Sequence, residues 1–516
     1  MQAYSPARSI VTDGLLGRPG RFRIDIEDEC IERIVPLATG TLGESGGDAP
    51  EVADARGKLV LPGFIDSHVH ALATARYLQQ VDLFGVSSLE GMVERIRGSP
   101  QGDADFVMAG RLDRTRLPEA RRESVRDALD AAFPRKPVRV ASIEGHSSWF
   151  NAAAWRRLGV DEVAGKLELP GEDFRSMRDE GCVRGRLSEA LADALYDTYS
   201  DAEKRSALAQ LLDGLPAIGI TTLHCLEGYG SDPAHDFKVV LDIASSRDDI
   251  DLVLYPRTRD VALARELGLG RIGGCILVDG AIGAHTAAMK QPYADRTEER
   301  GILYFADEEL AEFARECAQA ELQLALHAIG DAALEQVLQV YEGLSGEFDL
   351  AALRPRIEHF VAGSIEQFER AAKLGLVSGM QPAFDHFWGG INGAYVRSLG
   401  RERGMRTNAL ATALRAGLVV GGGSDSPITP LDPKLGIYAA ANHLNEEQHL
   451  SFAQAVELFT SGGASLAFEE DRKGRIEPGF LADMVVMPGD TNESNIHRRP
   501  VLLTVKRGRI VHRKGD

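Results

Sequence analysis

The chain has 516 residues, 44% of them apolar, with 58 basic and 77 acidic side chains and a net charge of −19. That length allows a large core and more than one domain, while the acidic excess argues against a nucleic-acid partner or an anionic membrane surface. No apolar run approaches the roughly 20 residues that span a bilayer, and five dispersed cysteines without a CxxC pair do not make a disulfide framework, so a reducing, cytoplasmic location is the expectation.

In chain order, the first segment reads as short strands and turns. Met1–Ser5 lacks a basic stretch followed by an apolar one, so no leader is expected there. Arg21–Ile26 alternates polar and apolar residues, Cys30–Val35 follows, and Gly/Ser-rich loops such as 40–47 separate the strands. The run Leu59-Val60-Leu61-Pro62-Gly63-Phe64-Ile65-Asp66-Ser67-His68-Val69-His70 then ends in two histidines spaced i, i+2. On a strand that spacing points both imidazoles to one face, an arrangement suited to a divalent metal such as zinc.

The interval from about 82 to 205 is too long for one crossover. It has strand-like pieces of its own (Phe106–Ala109, Val138–Ala141), which predicts an inserted subdomain beside the mouth of a barrel. Elsewhere in the middle of the chain, candidate strands end near Ser67, Leu226, Tyr255, Asp279, His327, Glu358, Met380 and Ser424, with helical patterns between most of them, such as 307–320 and 331–342. Repeated strand-then-helix order indicates a parallel sheet, and eight units predict an α/β fold of the (β/α)8 TIM-barrel type. Ala482–Met487, Val501–Val505 and Arg509–Val511 are strand-like again. The two ends, 1–57 and 480–516, are expected to form a small β-sandwich domain around a barrel at 58–479.

Reactive groups of such barrels sit at C-terminal strand ends, and several ends here carry ligand-type residues. His68 and His70 close the first strand, His327 and His359 close Leu322–His327 and Arg354–His359, and Asp425 follows Leu418–Ser424. Together they form a set of four histidines and one carboxylate. Gly421-Gly422-Gly423 is not a phosphate loop, since no lysine follows, and reads as a tight strand exit.

These motifs, with Ile143-Glu144-Gly145-His146, Gly219–His224, Val278-Asp279-Gly280-Ala281-Ile282-Gly283, His327-Ala328-Ile329-Gly330-Asp331, Arg356-Ile357-Glu358-His359, Gly423-Ser424-Asp425-Ser426-Pro427 and Gly474–Gly479 with Ala482-Asp483, resemble the amidohydrolase superfamily. The resemblance runs from about residue 56 to the C-terminus. It is nearest to the branch that includes N-substituted formamide deformylases. It implies that His68 and His70 hold one divalent cation with Asp425, and that His327 and His359 hold a second or complete a one-metal site. Metal-bound hydroxide then attacks a carbonyl, and Asp425 takes a proton and delivers it to the leaving nitrogen.

Many relatives carry a carboxylated lysine on the fourth strand, but this chain has no lysine between Lys238 and Lys290. Aligned on Val278-Asp279-Gly280, Cys275 stands in its place. Cys225, at the second strand end, is the alternative, because D-aminoacylases use a cysteine near that position, and Glu227 is a further oxygen candidate. The resemblance also suggests His146 and His285 as substrate-binding residues. His224 is open between a supporting role and core, and Trp149, Phe384, Phe387 and Trp388 are candidates for an apolar pocket. The expected activity is hydrolysis of an amide-type C–N bond in an N-acyl or N-formyl amine or amino acid, with zinc as cofactor. Deamination, ester or lactone hydrolysis, and a non-catalytic scaffold are the alternatives. The expected partner is a small-molecule substrate, with homo-oligomerisation left open.

Overall fold

The computed structural model describes residues 5–37, 52–100, 104–117, 124–142, 147–167, 169, 171–184, 186–228 and 232–515. The chain divides into two compact units, one made of Met1–Ala71, Ala209–Gly228 and Val240–Asp516, the other of Leu72–Leu208 and Tyr229–Val239.

The first unit contains eight parallel strands: β1 (Phe64–Val69), β2 (Ile220–Glu227), β3 (Asp251–Pro256), β4 (Arg271–Leu277), β5 (Gln323–Ala328), β6 (Arg356–His359), β7 (Val377–Met380) and β8 (Val419–Gly422). They pair as two sheets, β3-β2-β1 and β4-β5-β6-β7-β8. A single parallel bridge, Val69 to Ser426, links β1 to the residues after β8. Neither sheet is closed among the described residues. Every residue of β1, β2, β5, β6 and β7 is buried. Burial on both faces is why these strands read as near-continuous apolar runs instead of alternating ones. The helices between them bury one stripe each. In Asp307–Gln319 the buried residues are Leu310, Phe313, Ala314, Cys317 and Ala318, spaced as the inward face of a helix demands.

Both ends of the chain join one continuous mixed sheet where the sequence suggests a two-layered sandwich. Its order is Ser5–Pro6, Arg509–Arg513, Leu503–Lys506, Met484–Pro488, Val52–Pro62, Ser9–Leu15, Arg18–Glu27 and Cys30–Leu37. An ion network pins this sheet to the start of β3. Asp251 accepts from Lys473 at 2.6 Å, Lys506 at 2.7 Å and Arg507 at 2.7 Å, and Asp483 binds Lys506 at 2.7 Å. The Gly474–Gly479 and Ala482-Asp483 motif therefore lies beside this network. Gly474 has φ +83°, and a Cβ there would sit 2.6 Å from the Ser461 backbone.

The second unit has a five-stranded sheet in the order Cys182–Arg184, Ser147–Phe150, Val138–Ser142, Val107–Leu112, Val81–Asp82. Its last three strands run parallel, and Ser147–Phe150 is antiparallel to both of its neighbours. Helices Leu89–Arg97 and Val125–Ala132 start on the capping serines Ser88 and Ser124, which satisfy backbone amides left free at a helix start. Among the described residues no helix is long and apolar enough to cross a membrane.

Candidate metal centre

Six ligand-type side chains converge where β1, β4, β5 and β6 end and β8 exits. Their ligand atoms fall into three groups, each within 4.8 Å: His68, His70 and Cys275; Cys275, His327 and His359; His68, His359 and Asp425. Asp425 Oδ1 lies 3.3 Å from His68 Nε2 and 3.1 Å from His70 Nε2. Cys275 Sγ lies 3.5 Å from His359 Nε2 and 3.8 Å from His327 Nδ1.

Backbone irregularities set these positions. Ile272 pairs with Leu324 and Ile276 with Leu326, so Gly273, Gly274 and Cys275 all stand opposite Ala325. Such a bulge re-aims a side chain. It requires positive φ at all three residues, +105°, +44° and +69°, and the glycines leave room for it. A Cβ on Gly273 would lie 2.3 Å from Ala325 O, and one on Gly274 2.5 Å from Arg257 N. At the β8 exit, a Cβ on Gly423 would lie 2.6 Å from His68 Cβ. The missing side chain lets Asp425 N donate to His68 O at 2.8 Å and His70 N donate to Ser426 O at 3.0 Å. Asp66 reinforces the junction, with Oδ1 accepting from Ser424 N at 2.9 Å and His68 N at 3.2 Å.

Each of the four imidazoles has its outer nitrogen committed to an acceptor. His68 Nδ1 meets Glu358 Oε2 at 2.6 Å, His70 Nδ1 meets Leu226 O at 2.8 Å, and His359 Nδ1 meets Gln381 Oε1 at 2.7 Å. His327 is turned the other way, with Nε2 on Gly280 O at 3.2 Å. Carbonyl and carboxylate oxygens only accept, so the outer nitrogen carries the proton and the inner one is left with a lone pair.

The thiol, the carboxyl and the imidazoles are strongly coupled in charge. Burial opposes the charged form of Cys275 and Asp425. The imidazoles nevertheless hold the Cys275 thiol and the Asp425 carboxyl far below their ordinary values, with His68 and His359 acting on the thiol and His68 and His70 on the carboxyl. In turn, against burial, these anions raise His68, His70 and His327.

The other candidates are not among these ligand groups. The Cys225 thiol is pushed well up by burial, and its polar contact is Leu223 O at 3.9 Å. Glu227 accepts from Ala71 N. Neither belongs to any of the three groups. His285 binds Asp295 at 3.0 Å and sits edge-on to Tyr293. His146 lies outside the described residues. Trp149 is buried in a core of the second unit. Phe384 stacks on His359 with centroids 5.9 Å apart, Trp388 packs on Phe384 at 5.0 Å, and Phe387 is exposed.

Beneath the cluster lies a buried network of which the sequence had offered His224 alone, as support or core. Arg356 donates to Glu358 at 2.7 and 3.1 Å, to Tyr255 Oη at 2.9 Å and to Ser67 O at 2.9 Å. It also donates to His224 Nδ1 at 3.2 Å. Burial and the neighbouring Arg356 charge keep His224 neutral, well below its usual value. Burial raises Glu358, but Arg356 and His68 outweigh it and hold the carboxyl at about 2. Asp279 accepts from Gly330 N, Ala288 N and Ile329 N at 2.7, 2.8 and 2.9 Å, joining the loops after β4 and β5. The sequence signal for the network was an arginine and a glutamate inside a strand that ends in histidine. Outer partners of this kind typically tune metal affinity by about 10–100-fold. Glu358→Gln is accordingly expected to weaken binding of an added divalent metal by at least about 10-fold, read by chelator competition, with the fold intact by circular dichroism. Unchanged affinity would remove Glu358 from this role.

A family profile described as "Amidohydrolase family" matches residues 51–512. The chain is 27% identical over 506 residues to amidohydrolase YtcJ of Bacillus subtilis (strain 168), covering 91% of this chain and 92% of the relative. It is 25% identical over 499 residues to N-substituted formamide deformylase of Arthrobacter pascens, covering 89% and 88%. The solved structure of an uncharacterized metal-dependent hydrolase from Pyrococcus furiosus superposes with a TM-score of 0.75 at 26% identity, covering 94% of this chain and 98% of that one. With its mixed α/β fold and its convergent histidines, the chain belongs to the amidohydrolase family.

Proposed function

We propose that this protein is a zinc-dependent hydrolase of an amide-type C–N bond, acting on an N-acyl or N-formyl amine or amino acid, with its eight parallel strands forming one (β/α)8 barrel. The observation that carries the reading is the shared orientation of His68, His70, His327 and His359. Each has its outer nitrogen tied to an acceptor and its inner nitrogen turned toward Cys275 and Asp425. A donor set of imidazole, thiolate and carboxylate suits zinc. Cys275 belongs both to the group with His68 and His70 and to the group with His327 and His359, so we read it as the shared ligand where relatives use a lysine. When bound, the metal lowers the pKa of a coordinated water to about 7 and polarises a carbonyl.

The protein's own residues do the rest. Asp425, held between His68 and His70, takes the proton of the attacking water and returns it to the leaving nitrogen. Phe384, packed against His359, and Trp388 behind it line an apolar side of the substrate pocket. Five free cysteines fit a reducing cytoplasm.

The test is metal analysis of the purified protein together with a screen of N-acyl and N-formyl amines and amino acids. Bound zinc and release of amine plus carboxylate are expected, and Cys275→Ser is expected to lower zinc stoichiometry where Cys225→Ser does not. Metal-free protein with full activity in chelator would refute the metal, and ammonia as product would move the reaction to deamination.

A further inference from the structure

The second compact unit holds two arginines, Arg76 and Arg139, whose hydrogen bonds go to neutral oxygens and not to carboxylates. Arg76, in helix Ala71–Leu78, is 5% exposed. Its guanidinium carbon lies 4.2 Å from the ring centroid of Tyr196 and 3.8 Å from that of Tyr199. Nη2 donates to Leu195 O at 2.7 Å, and among the described residues no acceptor lies within hydrogen-bond distance of Nε and Nη1. Arg139, in strand Val138–Ser142, is half-buried and places Nε on Ser148 Oγ at 3.0 Å. Arg76 and Arg139 feel one another's charge, and both feel Tyr199. The carboxylate acting on Arg76 is Asp236, which is already bound to Lys204 at 2.6 Å. Among the described residues, Lys204 is thus matched by Asp236, and neither Arg76 nor Arg139 has a carboxylate in an ion pair of its own.

Like charges left unpaired away from water are costly. Burial, with the added repulsion of Arg76, holds the Arg139 guanidinium down to about 10, so it is still charged at neutral pH. Two arginines without a carboxylate of their own stand out in a chain whose net charge is −19.

We propose that this cluster is a binding site for an oxyanion of the carboxylate or phosphate type, with Arg139 as the contacting arm and Arg76 as the fixed charge behind it. A planar guanidinium matches either group with two parallel hydrogen bonds. Arg139 is the reachable partner, because it is only partly buried and, among the described residues, Nε is its one engaged nitrogen. The Tyr196 and Tyr199 rings against its guanidinium hold Arg76 in place. No residue of the metal centre takes part.

The experiment is thermal unfolding of the full-length, zinc-loaded protein with sodium benzoate or inorganic phosphate, against sodium chloride at equal ionic strength. A ligand that binds only the folded state raises the midpoint with concentration, which yields its affinity. At least one oxyanion is expected to stabilise the wild type beyond chloride. A response to benzoate alone identifies an organic acid as the ligand, and a response to phosphate alone a phosphate group. Arg139→Gln is expected to weaken the affinity by at least about 10-fold, since hydrogen bonds to charged groups contribute about that much. Arg139→Lys, which keeps the charge and the stem, is expected to fall between the two. His70→Ala is expected to keep the affinity, which separates this site from anions held at the metal. No response beyond chloride in the wild type, wild-type affinity in both Arg139 variants, or loss of affinity in His70→Ala instead would overturn the proposal.

Discussion

Asp425→Asn is expected to retain much of its metal and to lose at least about 10²-fold in turnover, the usual scale of general acid–base catalysis. Asparagine keeps a carbonyl oxygen where Asp425 Oδ1 meets His68 Nε2 at 3.3 Å and His70 Nε2 at 3.1 Å. It can hold its place, but it cannot accept the proton. The backbone around it should survive. The Asp425 N to His68 O bond at 2.8 Å involves no side chain, and the positive φ of +54° is one that asparagine tolerates well. Metal content and turnover must be measured on the same preparation. Near-normal turnover would show that another group moves the proton, and parallel loss of metal and turnover would make Asp425 a ligand only.

The second large effect concerns stability. Asp251→Ala is expected to cost about 3 kcal/mol, the low end for breaking a buried ion pair. It withdraws a carboxylate from Lys473, Lys506 and Arg507 together. The low end applies because Lys473 keeps Glu469 at 2.8 Å and Lys506 keeps Asp483 at 2.7 Å. The pH dependence has a definite sign. Burial raises the Asp251 carboxyl, but Lys506 and Lys473 outweigh it and hold it well below its usual 3.8. A depressed folded value means the stabilisation is complete above the unfolded pKa of about 3.9 and is lost as pH falls through the folded one. The gap between wild type and variant, measured by denaturant unfolding, should be constant from about pH 5 to 8 and should narrow in stronger acid. A gap that widened in acid would show that Asp251 is not the ionised partner of these lysines.

Much of the candidate site could be read along the chain. Leu59–His70, Leu322–His327, Arg354–His359 and Leu418–Asp425 are apolar runs that stop at a ligand-type residue. A strand buried on both faces must be apolar until it leaves the core, and the polar residue at its exit is therefore conspicuous. The prediction of strands near those eight ends rests on that local rule, and so does the expectation of a parallel α/β fold.

Other features depend on register and on partners distant in sequence. Cys275 and Cys225 were both candidates by position. What separates them is the Gly273-Gly274-Cys275 bulge against Ala325, which turns one thiol toward His327 and His359, while Cys225 remains in core packing. A bulge is a mismatch between two strands, and one strand alone does not reveal it. Glu358 reaches His68, and Arg356 reaches Ser67 O, across 290 and 289 residues of chain. Taken singly, a charged pair inside a strand signals a solvent-facing edge. Only the folded arrangement, which buries both and gives each a partner, converts them into a support for the histidine cluster. Local apolar patterning determined where strands run and end, whereas long-range pairing decided which side chains meet, because hydrogen bonds and ion pairs act through space between residues the sequence does not place together.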